Sequence, residues 1–185
     1  MDAVAAAFES VPRADFLPRG WRSSAAFDGP IPIGGGQTNS QPRTVEAMLR
    51  LLEVRPGDRV LDVGSGSGWT TGLLGFLTGP EGAVLGVELE PGLVTWGARN
   101  LASTGFGWAR IRRATPGVVG APDEAPYDRI LVSADGGSVP RSLVEQLTED
   151  GRMVLPAGGR LLLVVRSGQR TDTSEHGHYR FVPLR

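Results

Sequence analysis

The chain of 185 residues contains no cysteine and no lysine, because all 19 of its basic residues are arginine. The absence of cysteine excludes disulfides, thiolate zinc sites and a cysteine nucleophile. The absence of lysine excludes Schiff-base chemistry and the lysine of a phosphate-binding loop, so nucleoside triphosphates are poor candidate ligands. The two histidines, His176 and His178, lack a cysteine or a clear carboxylate partner, so no metal site is predicted.

Long apolar runs and an excess of charge of one sign are also missing. The run at 161–165 is far shorter than the roughly 20 residues of a membrane-spanning helix, and no signal peptide is recognisable at the N-terminus. The net charge of -1 provides no positive field that would attract nucleic acid or an anionic membrane. We therefore expect a cytoplasmic protein, a monomer, that binds neither nucleic acid nor membrane.

What is present suffices for one hydrophobic core, since 40% of the residues are hydrophobic and 21% are charged. The sequence predicts a single domain over 1–185, with an irregular, proline- and glycine-rich lobe at 1–41 and an α/β core at 42–185. Helices are predicted at 2–10, 42–53, 69–77, 91–103 and 140–148, and strands at 59–63, 83–88, 109–113 and 128–133. Further strands at 152–156, 160–166 and 179–182 predict an antiparallel hairpin that closes a doubly wound, mostly parallel sheet.

A glycine-rich segment at 60–68, V-L-D-V-G-S-G-S-G, runs from a predicted strand into a predicted helix. Glycines let a ligand approach the backbone closely, and the helix N-terminus offers N–H groups. Glu88 follows twenty residues after Gly68, at the end of the next predicted strand, where a carboxylate can accept hydrogen bonds from both ribose hydroxyls. The segment therefore predicts a nucleoside-bearing cofactor.

The spacing of the glycines indicates which cofactor. A dinucleotide fingerprint requires glycine at its first, third and sixth positions, and the sixth position here is Trp69 or Thr71, depending on the register. G-x-G-x-G with an acidic residue two positions before it matches instead the loop that binds S-adenosylmethionine. The predicted cofactor site contains Asp62, Gly64, Ser65, Gly66, Gly68 and Glu88.

Specific segments along nearly the whole chain resemble the protein-L-isoaspartate O-methyltransferases. They include V-P-R at 11–13, P-I-P-I-G at 30–34, G-Q-T-N-S-Q-P at 36–42, A-P-Y-D at 125–128 and F-V-P-L at 181–184, in the family's order. The resemblance implies a class I methyltransferase with a Rossmann-like sheet and S-adenosylmethionine as cofactor. It also implies a repair enzyme that esterifies the free carboxylate of L-isoaspartyl or D-aspartyl residues in proteins or peptides.

The resemblance places the family's catalytic serine on Ser40 and a neighbouring hydroxyl on Thr38. Such roles suit the chemistry, because a substrate carboxylate with a pKa of about 4 is ionised at neutral pH and needs no general base. Hydroxyl donors that position the carboxylate are what the reaction requires. A purely structural alternative is that Ser40 caps the helix that begins near Pro42.

Three positions depart from the family pattern. Asn39 replaces an isoleucine, and A-D-G-G at 134–137 replaces a run of small residues. An ungapped alignment back from 125–128 places Thr115 and Pro116 in the cofactor site, where proline offers neither the family's adenine-binding carboxylate nor an N–H group. Two alternatives follow: the same carboxyl methylation on another acceptor, such as a peptide natural product, or a non-catalytic relative that binds the cofactor or a partner.

Overall fold

The computed structural model describes residues 2–184. Its helices are α1 (Ala3–Ser10), α2 (Pro42–Leu52), α3 (Trp69–Thr78), α4 (Pro91–Ala102) and α5 (Arg141–Val144). Its strands are β1 (Ile31–Gly34), β2 (Gln37–Asn39), β3 (Arg59–Val63), β4 (Ala83–Glu88), β5 (Ala109–Arg113), β6 (Tyr127–Val132), β7 (Leu147–Ala157), β8 (Arg160–Ser167) and β9 (Arg170–His178). Short 3-10 turns lie at Arg13–Phe16, Arg19–Ser24 and Pro122–Glu124.

Seven strands form one sheet in the order β5-β4-β3-β6-β7-β8-β9, and β1 pairs with β2 in a separate antiparallel hairpin. The first five strands of the sheet are parallel, whereas β8 is antiparallel to both of its neighbours. The predicted doubly wound, mostly parallel sheet with an antiparallel C-terminal end is confirmed. The direction of winding reverses between β3 and β6, and ligands of such sheets bind beyond the carboxyl ends of the strands at this point.

The central strands of the sheet are buried on both faces, and neighbouring residues of one strand belong to different cores. Val60 packs in the core beneath α1, α2 and α3, while Leu61 packs in the core on the other face. This double burial explains why the parallel strands consist of almost continuous apolar runs. Ala7, Val11 and Phe16 extend the first core, so the N-terminal lobe shares its apolar packing with the sheet.

Two C-terminal elements differ from the sequence-based predictions. The last strand is Arg170–His178 and not 179–182, and every residue of this edge strand is exposed. It therefore lacks the apolar alternation by which a half-buried strand is recognised. The helix predicted at 140–148 is limited to Arg141–Val144, because the chain enters β7 at Leu147.

Within 2–184, no helix combines the length and the apolar character needed to cross a membrane. The same residues contain no cluster of three histidine, aspartate or glutamate side chains arranged for a metal ion. His176 and His178 are exposed on β9, and His176 Nε2 lies 2.8 Å from Ser174 Oγ.

Candidate active site

A cleft of about 840 Å³ lies at the carboxyl ends of β3, β4 and β6. One wall contains the loop after β3 and Glu88 at the end of β4. A second wall contains Thr38 and Ser40, which belong to the N-terminal lobe, and the C-terminal segment 177–184 lines the cleft as well. The fold thus brings four of the predicted cofactor residues and both predicted catalytic hydroxyls to one cavity. The four cofactor residues are Gly64, Ser65, Gly66 and Glu88.

The glycine loop after β3 is fixed to the neighbouring strand β4. The N–H groups of Gly64 and Ser65 donate to the Val87 carbonyl at 2.9 and 3.1 Å. The N–H of Gly66 donates to Glu88 Oε2 at 2.9 Å. Since these donors are used within the protein, the loop offers a ligand close access to its backbone and not these N–H groups.

Glu88 and Ser65 are the polar side chains of this wall that fit a nucleoside. Glu88 is 8% exposed, and its Oε1 accepts a second hydrogen bond from the N–H of Glu90 at 3.0 Å. A carboxylate has about four acceptor positions, so the two backbone bonds leave capacity for ribose hydroxyls. Ser65 Oγ is buried at the cleft wall without a hydrogen-bond partner among residues 2–184. A buried hydroxyl without a partner is costly, and a bound cofactor could satisfy it.

Two other predicted cofactor residues, Asp62 and Gly68, support the loop from beneath. Asp62 is fully buried, and its Oδ2 accepts hydrogen bonds from the Thr70 and Thr71 hydroxyls, both at 2.7 Å. Burial raises the pKa of Asp62 to about 6 against the opposing effect of these two bonds. Gly68 has φ +90°, and a Cβ there would lie 2.8 Å from the Gly97 carbonyl oxygen. Its glycine is needed for close packing of the loop on α4.

The predicted catalytic hydroxyls lie at the end of β2. Thr38 is exposed and Ser40 is partly buried, whereas Asn39 between them is only 4% exposed. Side chains alternate in extended backbone, so the Asn39 side chain points away from those of Thr38 and Ser40. All three residues contribute to the lining of the cleft, but the Asn39 amide is buried against Arg13 and Ser67. The residue that caps α2 is Gln41, so the interpretation of Ser40 as the helix cap is wrong.

A buried arginine of the N-terminal lobe holds this segment. Arg13 Nε donates to Asn39 Oδ1 at 2.7 Å, and its Nη2 donates to the carbonyls of Asn39 and Ser40 at 3.1 and 2.9 Å. Burial lowers the pKa of Arg13 to about 10, so its charge is retained at neutral pH. This contact was not predicted from the sequence. The one sequence feature that pointed to it was the polar residue Asn39, at a position where the family has an apolar residue.

Thr115 and Pro116 do not lie with the other predicted cofactor residues. Both are exposed on a turn that is closed by a hydrogen bond of 3.0 Å from the Val118 N–H to the Thr115 carbonyl. The cleft wall is formed here by Ala114, Val118 and Val119 instead. This part of the wall is apolar and suits the flat face of an aromatic base.

Asp135, another departure from the family pattern, is a structural link. Its carboxylate accepts backbone hydrogen bonds from Gly137, Gly158 and Gly159, at 2.7, 2.9 and 3.0 Å. Burial opposes ionisation, but these three bonds outweigh it and lower the pKa of Asp135. The Asp135 backbone pairs with Val182 and Leu184, each at 2.8 Å. Asp135 therefore fastens the C-terminal segment beside the cleft.

Comparison with known proteins identifies relatives over the whole chain. The family model for protein-L-isoaspartate(D-aspartate) O-methyltransferase matches residues 1–185. The protein-L-isoaspartate O-methyltransferase of Methanopyrus kandleri is 43% identical over 186 residues, which cover 98% of this chain and 82% of the relative. A second such enzyme, from Anaeromyxobacter, is 44% identical over 187 residues, which cover 98% of this chain and 75% of that relative.

Solved structures agree with this relationship. A protein-L-isoaspartate O-methyltransferase structure superposes with a TM-score of 0.87 at 25% identity, covering all of this chain and 61% of that chain. A Plasmodium falciparum protein in complex with S-adenosyl-L-homocysteine shares the fold, with a TM-score of 0.85 at 24% identity. The predicted fold, enzyme class and S-adenosylmethionine cofactor are confirmed, and the chain belongs to the protein-L-isoaspartate(D-aspartate) O-methyltransferase family.

Proposed function

We propose that this chain methylates the free carboxylate of L-isoaspartyl or D-aspartyl residues in proteins or peptides, as a repair reaction. The observation that carries the proposal is the shared cleft: Thr38 and Ser40 face the same cavity as Glu88 and the glycine loop. A cofactor held by one wall and an acceptor held by the other would meet within one enclosed volume. The family relationship supports the same reaction.

The cofactor wall is assigned to four residues. We infer that Glu88 accepts hydrogen bonds from the ribose, that Ser65 supplies its buried hydroxyl, and that Gly64 and Gly66 allow the ligand to approach the backbone. When bound, S-adenosylmethionine supplies a sulfonium methyl group that is transferred to a carboxylate oxygen. Asp62 and Gly68 keep the loop in shape without lining the cleft.

The acceptor wall is assigned to Ser40 and Thr38. The acceptor carboxylate, with a pKa of about 4, arrives ionised and needs no base. Hydrogen bonds from the two hydroxyls would hold one carboxylate oxygen and direct the other toward the cofactor wall. Ser40 and Thr38 would thus contribute to the reaction by orienting the acceptor carboxylate.

Two of the departures from the family pattern give no reason to assign a different acceptor. The Asn39 side chain is buried and bound to Arg13, and the Asp135 carboxylate is bound to three backbone N–H groups. Neither side chain is free to contact an acceptor. The repair substrate is therefore preferred to a peptide natural product.

We also propose that the protein acts as a cytoplasmic monomer on peptide or protein acceptors and not on nucleic acid. The net charge of -1 supports this choice of acceptor, because nucleic-acid binding is driven by positive charge. In this arrangement residues 1–41 supply the acceptor side of the cleft and 42–185 the cofactor side. Light scattering of the purified protein tests the monomeric state.

Replacing the catalytic-site serine tests the function. Ser40→Ala should lower kcat by roughly 10–100-fold, the effect of losing a hydrogen bond of about 1.5–3 kcal/mol to a charged group. The assay measures methyl transfer to an isoaspartyl peptide, with the matched aspartyl peptide as the control substrate. Affinity for S-adenosylmethionine, measured by calorimetry, should stay unchanged because Ser40 is on the acceptor wall. A wild-type protein that ignores the isoaspartyl peptide would refute the assignment.

A further inference from the structure

A single buried amide joins the two walls of the cleft. Asn39 Oδ1 accepts from Arg13 Nε at 2.7 Å, and Asn39 Nδ2 donates to Ser67 Oγ at 3.2 Å. Arginine has no acceptor, so the oxygen of the amide must face Arg13 and the NH₂ group must face Ser67. The amide therefore connects the acceptor segment directly to the glycine loop.

The members of this bridge are shielded from water. Arg13, Asn39 and Ser67 are 6%, 4% and 2% exposed. Loss of either hydrogen bond would leave a buried polar group unpaired, so the two bonds are favoured together. Water cannot easily replace the amide at this place.

Each end of the bridge is itself anchored to a functional element. Arg13 also donates to the Ser40 carbonyl at 2.9 Å, so the amide is linked to the backbone of the proposed catalytic residue. At the other end the Ser67 carbonyl accepts from Asn100 Nδ2 of α4 at 3.0 Å. The distance between Ser40 and the glycine loop is thus set by a continuous chain of hydrogen bonds.

We propose that Asn39 is a positioning residue that sets the separation of the acceptor hydroxyls from the cofactor loop. The inference rests on the proposed function, because in-line methyl transfer depends on that separation: a displacement of about 1 Å can cost roughly 100-fold in rate. Isoleucine, the residue of the family pattern, could form neither bond. The two hydrogen bonds of Asn39 are therefore specific to this chain and are not implied by its resemblance to the family.

Two variants of Asn39 separate positioning from simple packing. Asn39→Leu has a similar volume and lacks the amide, and it should lower kcat about tenfold. Its dissociation constants for S-adenosylmethionine alone, and for the isoaspartyl peptide with S-adenosylhomocysteine, should stay within about threefold of wild type. Asn39→Asp can accept from both Arg13 and the Ser67 hydroxyl, and it should restore kcat to within about threefold.

Ser67→Ala provides the matched variant at the other end, because it removes one hydroxyl and leaves Asn39 in place. The double variant Asn39→Leu/Ser67→Ala should have the kcat of Asn39→Leu alone, since both substitutions break the same bridge. Losses of kcat that multiply in the double variant would overturn the proposal. A loss of thermal stability with unchanged kcat would overturn it as well.

Hydrogen exchange of the protein without ligands gives a readout that does not depend on catalysis. Asn39→Leu and Ser67→Ala should each increase exchange about tenfold in residues 38–40 and in 65–67 together. Increased exchange in only one of these segments would contradict the proposal that Asn39 couples them. If wild-type protein failed to methylate isoaspartyl peptide, the proposed function would fail, while the exchange result would still decide whether Asn39 couples the two walls.

Discussion

At the scale of single residues, the proposed contact of Glu88 with the cofactor can be tested by one substitution. Glu88→Gln removes the charge but keeps the shape of the side chain. We expect binding of S-adenosylhomocysteine to weaken by about 1–3 kcal/mol, since hydrogen bonds to a carboxylate are stronger than those to an amide. Calorimetric titration measures the loss. Glu81→Gln, at an exposed position before β4, is the control and should bind as wild type. Equal affinity in both variants would remove Glu88 from the cofactor site.

Asp62 makes stability depend on pH in an unusual direction. Its pKa is raised from 3.8 to about 6, chiefly by burial, so between these values the unfolded chain loses a proton that the folded protein keeps. Stability therefore falls as the pH rises through this window, by about 3 kcal/mol at about 1.4 kcal/mol per pKa unit.

The variant Asp62→Asn removes this titration and isolates its contribution. The difference in unfolding free energy between the variant and wild type should shift in favour of the variant between about pH 4 and about pH 7. Urea denaturation at the two pH values measures it, and other carboxylates cancel in the difference. A difference that does not change with pH would contradict the assignment.

The sequence predicts where a residue lies in the fold well when one local pattern determines its position. The loop residues 64–66 and Glu88 lie at strand ends, and their spacing alone predicted that they line one cleft. The partners of Asn39 could not be predicted, because Arg13 and Ser67 are 26 and 28 residues away in sequence. Pro116, which an alignment without gaps predicted to be in the cofactor site, is exposed on a turn beside the cleft and does not line it.

At the scale of elements, the close packing of the glycine loop on α4 depends on Gly97 of the helix, which lies against Gly66 of the loop. A Cβ at Gly97 would lie 2.7 Å from the Gly66 carbonyl oxygen, whereas a Cβ at Gly92 on the same helix would meet nothing within 4 Å. Helix propensity alone would favour alanine at both positions by about 1 kcal/mol. Alanine substitutions at Gly92 and Gly97 therefore distinguish the effect of helix propensity from the effect of packing.

We expect Gly92→Ala to raise or leave unchanged the unfolding free energy. Gly97→Ala should lower it by about 1–3 kcal/mol, the usual cost of overpacking, and should weaken cofactor binding because it displaces Gly66. Thermal denaturation and calorimetry measure the two effects. If Gly97→Ala were as stable as Gly92→Ala, the close approach of α4 to the loop would be disproved.

The burial of each strand explains whether it could be predicted from the sequence. Strands β3, β4 and β6 are buried on both faces, so their apolar runs were sufficient to locate them. Strand β9 is held by backbone pairing to β8 and exposes all of its polar side chains. An edge strand of this kind leaves no hydrophobic pattern in the sequence.

At the scale of the whole molecule, the N-terminal lobe is joined to the core by apolar packing and by the ion pairs Asp2–Arg50 and Asp28–Arg43. Ala7 and Phe16 belong to the same hydrophobic core as Leu73 and Leu74 of α3. Arg13 donates to several buried carbonyls of the lobe, among them Gly29 at 2.8 Å. Because the apolar packing and the ion pairs cross the predicted boundary at 41, we expect both parts to unfold together.

Arg13→Ala tests this cooperativity. Removing a buried arginine leaves several acceptors without a donor, so the unfolding free energy should fall by about 3–5 kcal/mol. The loss should come in one transition, with the same midpoint by circular dichroism and by tryptophan fluorescence, since the shared core ties the lobe to the sheet. Arg19→Ala, at an exposed position of the same lobe, should change stability by no more than about 0.5 kcal/mol. Two separate transitions in Arg13→Ala would show instead that residues 1–41 unfold on their own, and the acceptor side of the cleft could then be lost while the cofactor side stayed folded.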